Sequence, residues 1–125
     1  MSEDDKFNLA DFIVTEESEK KRRQIIEHQR VESITKAFEE LVAGMTRPYQ
    51  RELMRMCYSD FLQTHYWEVL RRYVLLLHRD RCDQCGLTIN LQVHHRSYDF
   101  IHDEYQHLDD LAVLCDRCHR EQHGL

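Results

Sequence analysis

The chain has 125 residues, with 17 Lys and Arg against 23 Asp and Glu, a net charge of −6, nine His and five Cys, but only three Gly and one Pro. This length leaves room for one domain and little for a second. No stretch approaches the ~18 consecutive apolar residues of a membrane span, and Met1 to Lys6 is acidic and polar, so a cytoplasmic protein with no membrane partner is expected. In that reducing compartment five cysteines argue for a metal site over disulfides.

Counted by segment, the charge is uneven. Residues 1–44 hold seven basic and eleven acidic side chains, residues 45–79 six Arg and three acids, and residues 80–125 four Arg and nine acids. Seven of the nine histidines lie from His78 onward, which marks the last segment as the chemical one.

Residues 1–14 lack periodicity and are expected to form a disordered or loosely docked arm. Residues 15–79 read as helical. Thr15 is a natural N-cap with Glu16 and Glu17 in the favourable first turn, and Ile25, Ile26, Ile34, Phe38, Leu41 and Val42 recur near a 3.6 period before Gly44. Pro48 fits the start of a second helix, with Leu53, Met56 and Cys57 on an apolar side and Arg47, Arg51 and Arg55 on another. Cys57 is assigned to core packing. A third helix is predicted from Tyr66 to His78 after Thr64, with Trp67, Leu70, Val74 and Leu77 inward.

Beyond Arg79 the pieces shorten. The pattern predicts a strand over Leu87 to His94, a second short strand over Leu111 to Leu114, and a helix over Asp116 to His123. A β-hairpin packed on a helix follows, and the fold class is α+β. Fewer than ~50 residues of this kind bury too little apolar surface to be stable alone, so a metal staple is expected.

Cys82-Asp83-Gln84-Cys85 and Cys115-Asp116-Arg117-Cys118 are two C-x-x-C knuckles separated by 29 residues. A two-residue gap lets both thiolates of a pair reach one ion from a tight turn, and two such turns complete a tetrahedral four-thiolate shell for structural Zn²⁺. Redox chemistry of the thioredoxin type would need a βαβ setting, which the pattern lacks. A Cys₂His₂ finger is excluded because His119 directly follows Cys118. A mixed shell drawing on His94 or His119 stays open.

His94 and His95 are adjacent on a strand, so they face opposite ways unless the strand ends or bulges there. His119 and His123 stand at i and i+4 on one helix face, a spacing that grips a metal or a phosphate but is also common among solvated side chains. Taken together, Cys82-x-x-Cys85-Gly86, Leu91-Gln92-Val93-His94-His95, Leu108 to Cys115 and Cys118-His119-x-x-x-His123 resemble the HNH endonucleases, members of the ββα-metal nucleases with zinc knuckles. The resemblance covers residues 80–125 as an HNH domain with a treble-clef-like core, reaches weakly back to the third helix and says nothing of residues 1–44.

The resemblance implies roles position by position. His95 falls on the general base, His94 and His119 on ligands of a catalytic divalent ion with His123 beside them, and Asp110 on the Asn that braces the loop and so orients the base. Glu104 lies where further metal, phosphate or histidine-orienting contacts arise. Asp110 in place of Asn cannot donate hydrogen bonds while ionised. His94 in place of the commoner Asp removes a negative charge, which disfavours Mg²⁺ and suits Mn²⁺, Ni²⁺ or Zn²⁺. The implied reaction is hydrolysis of a DNA phosphodiester leaving 5′-phosphate and 3′-hydroxyl ends.

DNA affinity comes mostly from basic side chains on phosphates, which the acidic last segment cannot supply. Arg71, Arg72, Arg79 and Arg96 lie in or next to the expected catalytic region; Arg47, Arg51 and Arg55 form either a DNA-facing stripe or a solvated face paired with the acidic first helix. Two rival readings stand beside the nuclease: a non-catalytic zinc module binding DNA or protein, and an acidic N-terminal helical region that docks a protein partner.

Overall fold

The computed structural model describes residues 15–124, so the arm expected over residues 1–14 lies outside the described residues. The chain divides into two units, Met1–Glu32 and Ser33–Leu125. Among the described residues no helix is long and apolar enough to cross a membrane.

Helix α1 (Glu16–Ala43) contributes its residues up to Glu32 to the first unit. Thr15 caps it as expected, accepting the Ser18 N–H at 3.0 Å. Exposed i,i+4 pairs join Lys21 to Glu17 and Arg23 to Glu19, each worth little in water. Ile25 and Ile26, expected on a buried stripe, are 59% and 57% exposed. The reason is architectural: among the described residues of its unit this helical stretch has no second layer against which to bury a face.

In the second unit α1 continues through Leu41, which is buried, while Val42 is exposed. Phe38 stacks on Tyr73 with centroids 4.0 Å apart. Thr46 caps α2 (Arg47–Arg55), a short α3 (Tyr58–Phe61) follows, and Thr64 caps α4 (His65–Leu77) by accepting the Trp67 N–H at 3.1 Å. Two sequence expectations fail here. Cys57 is exposed at the N-cap of α3, because the chain turns into a helix the periodicity did not show, and Leu77 is 51% exposed at the last turn of α4, where the helix runs past its core.

The sheet is one antiparallel hairpin, β1 (Leu91–His95) and β2 (Leu111–Cys115), with Val93 opposite Val113 and His95 opposite Leu111. β1 starts four residues later than the sequence suggests. Leu87 and Ile89 alternate as in a strand but are exposed in the loop after the first knuckle, and Asn90 at φ 53° breaks the extended run. Between the strands lie two 3-10 turns, Glu104–Gln106 and Leu108–Asp110, and α5 (Asp116–Gln122) follows β2 directly. Leu111 and Val113 join Leu53, Phe61, Tyr66, Trp67, Leu70 and Val74 in a single core, so the inner face of the hairpin is covered by α4. The fold is α+β, helices followed by a small antiparallel hairpin and a terminal helix.

Candidate metal centres

The first knuckle is a tight turn. The Gly86 N–H donates to the Cys82 carbonyl at 2.9 Å, and Gly86 takes φ 79°, a conformation that costs glycine nothing. Asp83 then ties the knuckle to the hairpin through both backbone groups of one residue: its N–H donates to the Val113 carbonyl at 2.7 Å and its carboxylate accepts the Val113 N–H at 2.8 Å. The same carboxylate lies 2.8 Å from His78 Nδ1 at the end of α4. The second knuckle straddles the start of α5, where the Cys115 sulfur caps the helix by accepting the Cys118 N–H.

These two turns bring the Sγ atoms of Cys82, Cys85, Cys115 and Cys118 within 4.8 Å of one another, with Cys85 and Cys115 at 3.6 Å. A tetrahedral thiolate shell at ~2.3 Å from Zn²⁺ has an edge of about 3.8 Å, so the cluster has the dimensions of such a shell. Its electrostatics agree. Burial pushes the Cys82 thiol up, but hydrogen bonds from the backbone of Cys85, Cys115 and Gln84 prevail and bring it down to about 6; Cys118 is pushed up to about 12 by burial and by the neighbouring thiols. The cluster can hold a structural metal such as zinc.

The second cluster sits on the other face of the hairpin. His94 and His95 point opposite ways, as alternation demands: His94 is half-buried against His119 and His123, and His95 is buried against α4. The ring nitrogens of His94, His119 and His123 lie within 4.8 Å of one another, with Nε2 of His119 and Nε2 of His123 at 3.2 Å. Ligand nitrogens around an ion at ~2.0 Å would be about 3.3 Å apart. Burial lowers the pKa of His94, helped by the positive charge of His119 and His123; burial and His123 lower that of His119. Neutral imidazoles are the form a metal requires. His94 and His119 are half-buried and His123 is exposed, whereas three of the four cysteines are buried and Cys85 is exposed.

His95 is the most enclosed of the singled-out histidines, its side chain 4% exposed. Its Nε2 lies 2.8 Å from Glu104 Oε2, and Tyr66 Oη–H donates to Glu104 Oε1 at 2.9 Å. Trp67 and Tyr98 lie nearly parallel to its ring, with centroids at 5.4 Å and 6.1 Å. Asp110 makes a different contact, accepting the Ser97 hydroxyl at 3.2 Å, while its carbonyl accepts the Arg96 N–H; it braces the start of the loop, and the carboxylate on His95 is Glu104.

The arginines are not equivalent. Arg72 is paired with Glu68 at 2.8 Å and Arg71 reaches the Leu91 carbonyl at 3.4 Å. Arg79 is exposed at φ 59° after α4. Arg96 is exposed two residues beyond His94, lining a polar groove with His94, Ala112 and Gln122. Arg47, Arg51 and Arg55 are exposed and make no ion pair among the described residues. Asp83 and Tyr66 escaped sequence reasoning: a lone Asp inside a knuckle and a Tyr on a helix carry no signal until the chain folds.

Compared with family models, curated proteins and solved structures, the chain matches none.

Proposed function

We propose that this chain is a metal-dependent DNA endonuclease of the HNH type with a structural zinc. The observation that carries the reading is the cluster of His94, His119 and His123 on a hairpin followed by a helix, with a fourth histidine, His95, next in sequence and already paired to a carboxylate. Three imidazole nitrogen ligands suit Zn²⁺, Ni²⁺ or Mn²⁺ better than Mg²⁺. A divalent ion held there would supply Lewis-acid stabilisation of charge developing on a phosphodiester. His95 takes the proton of the attacking water, the task for which an imidazole is suited near neutral pH. Arg96, just beyond β1 and lining the same groove as His94, binds a flanking phosphate. The cysteine cluster does no chemistry; it fixes the hairpin against α5 so that His94 keeps its distance from His119 and His123.

The 4% exposure of the His95 side chain favours a second reading, a zinc module that binds DNA or protein without cleaving it. Supercoiled plasmid decides between them. Incubated with Mg²⁺, Mn²⁺, Ni²⁺, Zn²⁺ or none, the protein is expected to nick with at least one transition ion, and His95→Ala to lose about 100-fold or more of that rate. Parental rates in His95→Ala remove the base assignment; no nicking with any ion favours the binding module.

A further inference from the structure

A carboxylate 1% exposed is an expensive thing to place in a core, and Glu104 has two partners that satisfy it. One oxygen takes the Tyr66 hydroxyl from α4 and the other takes His95 Nε2 from β1. Tyr66 is held in turn, its hydroxyl oxygen accepting the Tyr105 N–H at 3.3 Å, and among the described residues no buried side-chain nitrogen or oxygen lacks a partner. The three groups form a closed chain, Tyr66 to Glu104 to His95, in which every hydrogen bond has one available direction. A carboxylate only accepts, so the Tyr66 proton and the Nε2 proton both point at Glu104.

We infer that Tyr66 and Glu104 are positioning residues for His95, keeping its proton on Nε2 and leaving Nδ1 as the nitrogen with a free lone pair. The inference rests on the endonuclease reading for the use made of Nδ1, but the placement of the proton stands on geometry alone. The near-parallel rings of Trp67 and Tyr98 restrict the imidazole to one plane, and the Glu104 bond restricts rotation within it. Part of the catalytic geometry is therefore set by α4, from outside the segment that holds both metal clusters.

The test uses the full chain with its cysteine site loaded with zinc and its histidines labelled with nitrogen-15. The parent is expected to show one slowly exchanging imidazole N–H resonance that is absent in His95→Gln. Glu104→Ala is expected to lose that resonance and Glu104→Gln, whose amide oxygen still accepts, to retain it. In plasmid nicking, Glu104→Ala should lower kcat about 10- to 100-fold with KM unchanged, Glu104→Gln should recover most of the loss, and Tyr66→Phe should lower kcat by about tenfold or less. Zinc content equal to the parent's establishes that each variant is folded; if Glu104→Ala fails this, the Gln and Phe variants carry the comparison. Persistence of the N–H resonance in a folded Glu104→Ala, or its absence from the parent, overturns the inference. A parent that fails to nick with every ion tested sinks the endonuclease reading instead, and the resonance alone then decides the role of Glu104.

Discussion

Glu104 shows how one buried residue can make the fold depend on pH. Burial raises its pKa, but the hydrogen bonds from His95, from the local backbone and from Tyr66 outweigh burial and hold it below its ordinary 4.5. A carboxyl whose folded value lies below its unfolded value stabilises the fold at pH above the unfolded value, and that contribution is lost as pH falls through the folded one. The urea midpoint should therefore fall on acidification below about pH 4.5, and Glu104→Gln should flatten that part of the profile. A midpoint equally steep in the variant would show that other carboxyls carry the effect. Little of this was legible in the sequence. Glu104 could be placed near the site by resemblance, but its partners are 9 and 38 residues away, and only the packing of α4 on β1 brings them together. The opposed faces of His94 and His95 and the pairing of His119 with His123 were legible because strand alternation and i,i+4 spacing are local rules, whereas joining His94 to that pair took the resemblance.

At the scale of the element, the knuckles were readable from spacing alone, since a C-x-x-C turn depends on its own four residues. What sequence could not supply was the latch: Asp83 satisfies both backbone groups of Val113, a residue 30 positions away. The strand start was misplaced for the same reason. Leu87 and Ile89 have strand composition, yet the knuckle takes the Leu87 carbonyl through the Cys82 N–H at 2.8 Å and Asn90 turns the chain. Because the first knuckle is bonded to β2, loss of a metal held by the cysteines would loosen more than a loop. The protein should hold about one tightly bound Zn²⁺ per chain at the cysteines, and Cys118→Ala or a strong chelator should lower its thermal midpoint sharply. Unchanged melting with no bound metal would refute this. Helix α4 also has a checkable local device: Thr64→Ala, which removes the acceptor for the Trp67 N–H, should cost about 1 kcal/mol in urea unfolding.

For the whole molecule, the decisive fact is that the hairpin and the helices from α2 to α4 share one core. Leu70, fully buried, belongs to the same cluster as Leu111 and Val113 of β2. Leu70→Ala should destabilise the protein by about 2–5 kcal/mol. With Co²⁺ in the cysteine site, loss of the metal's absorption should coincide with loss of helical circular dichroism in a single transition. Two separate transitions would mean that the helices and the metal segment fold independently. The net charge of −6 is likewise an average that conceals arrangement. Arg47, Arg51, Arg55 and Arg96 are exposed and make no ion pair among the described residues, whereas Arg72 is committed to Glu68. If DNA is the partner, affinity should fall steeply with salt and Arg96→Ala should reduce the log–log slope by about 0.9, the share of one phosphate.

Trp67 is the chain's single tryptophan, and its indole lies against the imidazole of His95 with the planes 17° apart. The tryptophan emission of the protein therefore comes from one ring stacked near the proposed base. Any event that moves His95, from a bound ligand to the loss of Glu104, should appear in the emission of the unlabelled molecule, so the site carries its own optical reporter.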